Sequence, residues 1–434
     1  MSHETRDSRD LLGIVEFFDW MHVFLQEKDN PLRRLQREAC RRAGVSVEDD
    51  ISQVHACLAV HRYAGIDNVA WSLGRSTVQY HSKDRRITRQ GDHSDEAGMN
   101  PSQIGFKHAL EKECFLRSAL EFGHAHGMTL VGHLCMNRHY GGAHGNNFSS
   151  LLSRRPELRE KAKDGSEDGG RLCFAMPEYR EERLAIVRET VELGLDAICL
   201  DFVRQPPMMR YHPALVDPYL ENTGVDPRKI DPAKEPEVFL EWCRYRAGVL
   251  TEFMREVRWT LREIEMSRKR RIPLHVRITD CGFTANLISG IDIETWCREG
   301  LVDCVLTHPL QWINGIWTHD VQPYVELGRR TGVKIFGGVN TYAVQGWQMN
   351  PVCIARRIKY QYEAGVAGMS LYETNDTVIQ PAVAELLAAM CCYDDLAALL
   401  ENKTWLAQWP VNGLNANCGM DNHSALYPGP LWSM

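Results

Sequence analysis

The feature that most constrains the fold of this chain is the regular recurrence of short strand-like runs, each followed by a helical pattern. Eight such runs occur along the 434 residues. Alternation of this kind is typical of βα units, whose strands run parallel to one another. Because each run ends near a polar or aromatic residue, the pattern favours a closed (β/α)8 barrel, the TIM-barrel fold, over an open sheet. The predicted strands span residues 12–18, 68–72, 128–134, 197–200, 273–280, 302–308, 333–340 and 366–373.

The predicted barrel occupies residues 1–400 and carries two long insertions, at about 74–105 and 205–236. Loops of this length in a compact domain are usually lids or binding loops. The remaining tail, 401–434, contains three tryptophans and is too aromatic for a disordered end. We expect the tail to pack on the barrel, to reach over its mouth or to form a subunit contact, which allows a homodimer.

Composition and charge argue against several classes of partner. No apolar run is long enough for a transmembrane helix, so no membrane association is expected. The net charge of -7, without a basic block, argues against nucleic acid. The fourteen cysteines are scattered and form no Cys-x-x-Cys pair, and no secretory or transit segment is visible. These observations predict reduced thiols in a cytoplasmic enzyme that needs no cofactor.

The fourth predicted strand carries the clearest functional signal. Residues 194–206 read Gly-Leu-Asp-Ala-Ile-Cys-Leu-Asp-Phe-Val-Arg-Gln-Pro, a buried-strand run followed by Asp201 and Arg204 before a proline stops the strand. Ligands gather at the carboxyl ends of the strands in such barrels. Asp201 is therefore a predicted site residue that Arg204 could keep ionised. The alternative is that the two residues form a structural ion pair at the barrel rim.

The other strand ends add a ring of carboxylates, aromatics, amides and histidines. Glycoside cleavage needs two carboxyl groups, one that protonates the leaving oxygen and one that acts as nucleophile or activates water. We therefore predict a glycoside hydrolase of an oligo- or polysaccharide, with Asp201 as nucleophile or base and either Asp280 or Glu373 as the acid. The predicted substrate-binding residues are Asp19, Trp20, Trp71, His133, Asn137, His139, Arg204, Arg210, Arg277, His308, Asn340, Tyr342 and Tyr372.

Three of these residues, Arg204, Arg210 and Arg277, indicate an acidic sugar such as a uronate or a sulfated residue. A guanidinium group pairs with carboxylate and sulfate in a forked geometry. The sugar, its linkage and the retaining or inverting outcome stay open, because the sequence does not tell which acid faces Asp201.

Two alternatives use the same strand ends differently. The first is a metal-dependent lyase, isomerase or deacetylase in which His133, His139 and His308, with Asp201 or Glu373, bind a metal ion. No His-x-His or His-Glu-x-x-His spacing supports that set. The second is a barrel that binds sugar without cleaving it, favoured if no two of the three carboxylates lie within roughly 10 Å of each other.

Two stretches of the sequence carry a family resemblance. Residues 171–206 combine a proline-led helix with a strand of the type Asp-x-Ile-x-Leu-Asp-x-x-Arg-x-Pro, and 290–303 form a further matching unit. The chain resembles the glycosyl-hydrolase-like family 10 barrels over roughly 171–303. The resemblance implies a (β/α)8 glycoside hydrolase, with Asp201 and Arg204 on the family's Asp and Arg. Ala197, Cys199 and Gln205 depart from the pattern, so the substrate does not carry over.

Overall fold

The structure, a computed structural model, describes residues 10–25, 30–92, 101–112, 115–136, 148–203, 206–310, 319–341 and 350–411. Its centre is a closed barrel of eight parallel strands, which confirms the predicted (β/α)8 fold, and two further strands form an antiparallel hairpin beside it. In chain order the strands are β1 (Asp10–Val15), β2 (Asn68–Gly74), β3 (Thr129–Cys135), β4 (Arg159–Lys161), β5 (Glu167–Leu172), β6 (Ala197–Asp201), β7 (Leu274–Thr279), β8 (Cys304–His308), β9 (Lys334–Asn340) and β10 (Gly368–Tyr372).

Helices surround the barrel and follow its strands. In chain order they are α1 (Phe17–Phe24), α2 (Pro31–Arg42), α3 (Asp50–Tyr63), α4 (Pro101–Lys112), α5 (Phe115–Ala125), α6 (Ser150–Arg154), α7 (Pro177–Leu193), α8 (Pro213–Thr223), α9 (Pro236–Arg268), α10 (Phe283–Ile288), α11 (Ile293–Arg298), α12 (Gln322–Thr331), α13 (Pro351–Ala364), α14 (Thr374–Thr377), α15 (Ala384–Ala389), α16 (Tyr393–Glu401) and α17 (Lys403–Gln408). Among the described residues, none of these helices combines the length and the hydropathy that crossing a membrane requires.

The α7–β6 unit shows how local sequence builds the barrel. Pro177 occupies the first turn of α7, where its missing N–H leaves no hydrogen bond unmade. Gly194 ends the helix with a φ of 133°, a backbone conformation that side-chain-bearing residues rarely adopt. The chain then enters β6, whose five residues are all buried between β3 and β7. In this register Asp201 lies beside Cys135 on one neighbouring strand and Arg277 on the other.

Three features differ from the sequence-based prediction or add to it. The first strand ends at Val15, because Phe17 and Phe18 belong to α1 and not to the strand predicted over 12–18. The hairpin of β4 and β5 was not predicted. The predicted insertion at 205–236 contains α8 and a 3-10 helix at Pro227–Lys229.

The first part of the tail packs on the body of the protein. Trp405 of α17 is buried in the hydrophobic core. The Asn350 side-chain amide donates to the carbonyl oxygens of Trp409 and Pro410, at 3.5 and 3.3 Å. The rest of the tail, from residue 412 onward, lies outside the described residues.

Candidate active site

The barrel interior has an apolar lower layer and a polar upper layer. Side chains alternate along a strand, so residues two positions apart point to the same side. Moving two positions up each strand from the apolar layer reaches a ring of buried polar groups at the carboxyl ends. The lower layer consists of Leu12, Ile14, Ala70, Val131, Ala197, Cys199, Cys304, Leu306 and Phe336, capped by Tyr372. The polar ring above it includes Glu16, Ser72, His133, Asp201 and His308.

Asp201 is the most tightly held member of this ring and has no accessible surface. Its Oδ2 atom accepts hydrogen bonds from Arg277 Nη1 at 2.6 Å and from His133 Nε2 at 3.0 Å. Its Oδ1 atom accepts from the Val203 backbone N–H at 2.8 Å. The Cys135 thiol lies 3.7 Å from Oδ2. Every neighbour in this set stabilises the charged form of the carboxylate.

Burial alone would raise the pKa of Asp201, but its partners outweigh that effect. The Arg277 guanidinium, followed by His133 and the Val203 N–H, lowers the pKa of this carboxyl far below its ordinary value. Asp201 is therefore ionised at any physiological pH. The predicted partner Arg204 lies outside the described residues. Arg277, on the neighbouring strand, is the cation observed beside Asp201.

Two aromatic groups, one of them in direct contact with Arg277, complete this side of the ring. The Arg277 guanidinium lies over the face of Tyr372, 3.9 Å from the ring centroid, a cation–π geometry. Tyr372 also contacts His308 edge to face, with ring centroids 5.3 Å apart. Both rings are buried. The predicted residues His133, Arg277, His308 and Tyr372 are thus brought together around Asp201 or its direct partners.

Glu16, a residue that the sequence analysis did not select, enters the ring from the end of β1. It is 3 % exposed. Its Oε2 atom accepts from the Ser72 hydroxyl at 2.9 Å, and Arg75 Nη2 lies 3.7 Å from Oε1. Its backbone N–H donates to Asn375 Oδ1 at 3.0 Å, which connects the end of β1 to α14, the short helix after β10.

Glu16 belongs to what we call the acidic group, which also contains Asp19, Glu373 and Asp376. Burial and the charges of Glu16 and Glu373 raise the pKa of Asp19 well above its ordinary value. Burial and the charge of Glu373 raise the pKa of Asp376 to about 7. Like charges in a partly desolvated site cannot all ionise, so this group retains protons near neutral pH.

Glu373 has an unusual backbone conformation. Its φ of 55° and ψ of 61° lie in the left-handed region, which residues with side chains rarely occupy. Such strain costs on the order of 1 kcal/mol or more and is concentrated at functional sites. The predicted acid Glu373 therefore lies at a strained position within the acidic group.

Asp280, the other predicted acid, has a different environment. Its Oδ1 atom lies 2.6 Å from His319 Nδ1, and Arg357 Nη2 donates to its Oδ2 atom at 2.5 Å. The carboxylate is buried and held by these two basic side chains. Both carboxylate oxygens of Asp280 are therefore engaged by basic side chains of the protein.

Two predicted substrate-binding residues, Trp71 and Trp20, are packed in the hydrophobic core. Trp71 follows the inward-facing Ala70, so it points outward to the helices, where it stacks on Phe17 at 4.8 Å between ring centroids. Trp20 lies on α1, and its indole N–H donates to Gln53 Oε1 at 3.2 Å. Each is 1 % exposed. Neither offers a ring face to a ligand.

The remaining predicted residues are placed as follows. Asn340 ends β9, beside Tyr372 of β10 in the strand register. Arg210 Nη1 donates to Asp168 Oδ2 of the hairpin at 2.9 Å, so this guanidinium is bound within the protein. The other predicted residues, Asn137, His139, Arg204 and Tyr342, lie outside the described residues.

No protein-family model matches this chain, and no curated protein matches its sequence. Similarity appears only in comparisons of fold. One similar structure is a β-galactosidase from the psychrophilic Marinomonas ef1, at 13 % identity and a TM-score of 0.46; the match covers 83 % of this chain and 54 % of that chain.

A second is a GH20 exo-β-N-acetylglucosaminidase from Vibrio harveyi, at 11 % identity and a TM-score of 0.45, covering 93 % of this chain and 58 % of that one. A third is a GH113 β-1,4-mannanase, at 10 % identity and a TM-score of 0.37, covering 85 % and 88 %. This chain thus spans only part of the length of the first two enzymes.

Proposed function

We propose that this chain is a glycoside hydrolase that uses two carboxyl groups, with Asp201 as the nucleophile or base. The observation that carries this proposal is the environment of Asp201, a buried carboxylate at the end of a central barrel strand with Arg277 2.6 Å away. A nucleophile or base must stay ionised while the acid stays protonated. The resemblance to the glycosyl-hydrolase-like family 10 barrels, with Asp201 on the family's Asp, points the same way.

For the acid we favour Glu373 over Asp280. Glu373 lies at the carboxyl end of β10, within the acidic group, and its backbone is strained. Asp280 instead has two basic partners, His319 and Arg357. Both oxygens of Asp280 are bound to these basic side chains, so we assign Asp280 a structural role and Glu373 the role of the acid.

The substrate in this proposal is an oligo- or polysaccharide. The acidic-sugar hypothesis now depends chiefly on Arg204, because Arg277 is paired with Asp201 and Arg210 with Asp168. A guanidinium that already holds a carboxylate attracts a second anion less strongly. The hypothesis therefore predicts that Arg204→Met lowers affinity for uronate or sulfated substrates and leaves affinity for neutral ones unchanged.

The test is turnover of a panel of aryl glycosides and acidic oligosaccharides by wild type and by Asp201→Asn. We expect cleavage of at least one substrate class, with a loss of more than about 1,000-fold in the variant. Because Asp201 is buried beside Arg277, each variant is first checked for a cooperative unfolding transition. A folded Asp201→Asn protein that retained the wild-type rate would refute the assignment. Binding of a sugar without any turnover would favour the non-catalytic barrel instead.

A further inference from the structure

Three potential metal ligands meet beside Asp201. His133 and Cys135 are two residues apart on β3, so both side chains point into the barrel. Glu16 approaches them from the end of β1. One ring nitrogen of His133, the sulfur of Cys135 and one carboxylate oxygen of Glu16 all lie within 4.8 Å of one another, and all three residues are buried.

Two polar atoms of this cluster have no hydrogen-bond partner among the described residues. His133 Nε2 lies 3.0 Å from Asp201 Oδ2, and the other ring nitrogen, Nδ1, is buried and has no hydrogen-bond partner among the described residues. In the neutral imidazole that donates from Nε2, Nδ1 is the nitrogen with the lone pair. The Oε1 atom of Glu16 is likewise buried without a hydrogen bond. A buried polar atom left unsatisfied costs about 1–3 kcal/mol. Two of them in one cluster indicate that another species belongs there.

We propose that Glu16, His133 and Cys135 bind one divalent transition-metal ion of the zinc class. The mixture of sulfur, nitrogen and oxygen ligands is typical of zinc and unsuited to calcium or magnesium, which prefer oxygen alone. Tetrahedral bonds of about 2.0–2.3 Å place ligand atoms roughly 3.3–3.7 Å apart, against separations of up to 4.8 Å in the cluster, so the ligand atoms must move closer together to bind an ion.

Asp201 supports this assignment as the outer partner of His133. A metal-binding histidine almost always donates its second ring N–H to a carboxylate or a carbonyl, which fixes the tautomer and orients the ring. The bond from His133 Nε2 to Asp201, at 3.0 Å, has that form. Of the histidines in the alternative raised from the sequence, His133 belongs to this cluster. His308 contacts Tyr372 and belongs to no cluster of three potential ligands among the described residues, and His139 lies outside them.

The two arginines near the cluster, Arg277 and Arg75, do not prevent a metal ion from binding. Arg277 is paired with Asp201, so much of its charge is already balanced. Arg75 lies 3.7 Å from Glu16 Oε1, beyond hydrogen-bond length, and is 25 % exposed, so it has solvent into which it can move. A second cluster, Asp280 with Cys281 and His319, is less suited to a metal ion, because Arg357 already holds Asp280 at 2.5 Å.

Three protein ligands leave the fourth position of a tetrahedral zinc ion free, as in catalytic zinc sites. The proposed ion would hold a water molecule or a substrate oxygen close to Asp201. This inference does not rest on the glycosidase proposal, since metal binding is measured directly and without a substrate.

The test uses the full chain, stripped with a chelator and titrated with Co²⁺ and Zn²⁺. We expect one equivalent of tightly bound metal and, with Co²⁺, a thiolate-to-cobalt charge-transfer band. Cys135→Ser should abolish the band and weaken Zn²⁺ binding by more than about 100-fold, above the loss caused by an outer partner. The matched control is Cys304→Ser, which changes another buried, inward-facing thiol outside the cluster. Cys281→Ser tests the second cluster.

A band that disappears with Cys135→Ser and survives in both other cysteine variants supports the site. The proposal is overturned if wild type binds no stoichiometric metal, which would leave water as the occupant. It is equally overturned if the band persists in Cys135→Ser or depends on Cys281. Should Cys135→Ser fail to fold, the wild-type cobalt spectrum still decides whether a thiolate ligand exists, and Glu16→Gln repeats the affinity test.

Discussion

Asp201 and the acidic group lie at the same end of the barrel and have opposite electrostatic environments. Asp201, on β6, is bonded to a guanidinium, an imidazole and a backbone N–H. The acidic group, at the ends of β1 and β10, places carboxyls next to one another, and the charge of Glu373 raises the pKa of both Asp19 and Asp376. The same end of the barrel therefore carries both an ionised carboxylate, Asp201, and carboxyl groups that keep protons near neutral pH, Asp19 and Asp376.

The difference teaches that position at a strand end does not determine what a carboxylate does. A carboxyl at this rim is ionised where the neighbouring strand supplies a cation. It keeps its proton where its neighbours are other carboxyls. Environments that separate the pKa values of two carboxyls are what acid–base chemistry at neutral pH requires.

The largest expected effect comes from removing the cation beside Asp201. Arg277→Met leaves a buried carboxylate without its main counter-charge, and we expect a loss of about 3–5 kcal/mol in the free energy of unfolding at pH 7. Chemical denaturation measures it. The double variant Asp201→Asn/Arg277→Met should lose less than Arg277→Met alone, because it removes both charges. A single-variant loss below about 1 kcal/mol would mean that Arg277 is not the group that stabilises Asp201.

In the acidic group, we expect a substitution to raise the free energy of unfolding, by less than Arg277→Met lowers it. The pKa of Asp376 is about 7 in the folded protein, against 3.8 for an ordinary aspartate. As pH rises from 5 to 7, the unfolded chain has already lost this proton while the folded chain still holds it, so wild type loses stability. Asp376→Asn removes this loss. The free energy of unfolding of Asp376→Asn, relative to that of wild type, should therefore rise by about 3 kcal/mol as the pH increases from 5 to 8.

The control for this experiment is Asp394→Asn, which changes an exposed aspartate on α16. Its effect should stay within about 0.5 kcal/mol and change little with pH. A flat pH dependence for Asp376→Asn, equal to that of the control, would show that Asp376 is ionised throughout and that the acidic group stores no proton there.

The fold was predictable from the sequence because the βα alternation is repeated eight times. An error in the bounds of one strand or helix therefore does not change the predicted fold. The directions of individual side chains were not. Strands of a parallel barrel are buried on both faces, so apolar residues do not alternate with polar ones, and the inward and outward faces look alike in the sequence. Trp71 was therefore assigned to the mouth although it packs against the helices.

Partners of the site residues were the least predictable part. Arg204 was chosen for Asp201 because it is close in sequence, whereas Arg277 reaches it through the register of β6 and β7. Register depends on the whole barrel and cannot be deduced from either segment. Glu16 did leave a signal, since it is the one charged residue in the apolar stretch 11–18. It was missed because the predicted strand ran on into α1.

The most direct test of the proposed division of roles compares leaving groups. Wild type, Asp201→Asn and Glu373→Gln are assayed on a substrate with an activated nitrophenyl leaving group and on the matching sugar–sugar linkage. If Glu373 is the acid, Glu373→Gln should lose at least about 100-fold on the sugar leaving group and far less on nitrophenol, which leaves without protonation. Asp201→Asn should lose activity on both. Equal losses on both substrates in Glu373→Gln, or wild-type activity in Asp201→Asn, would contradict the account.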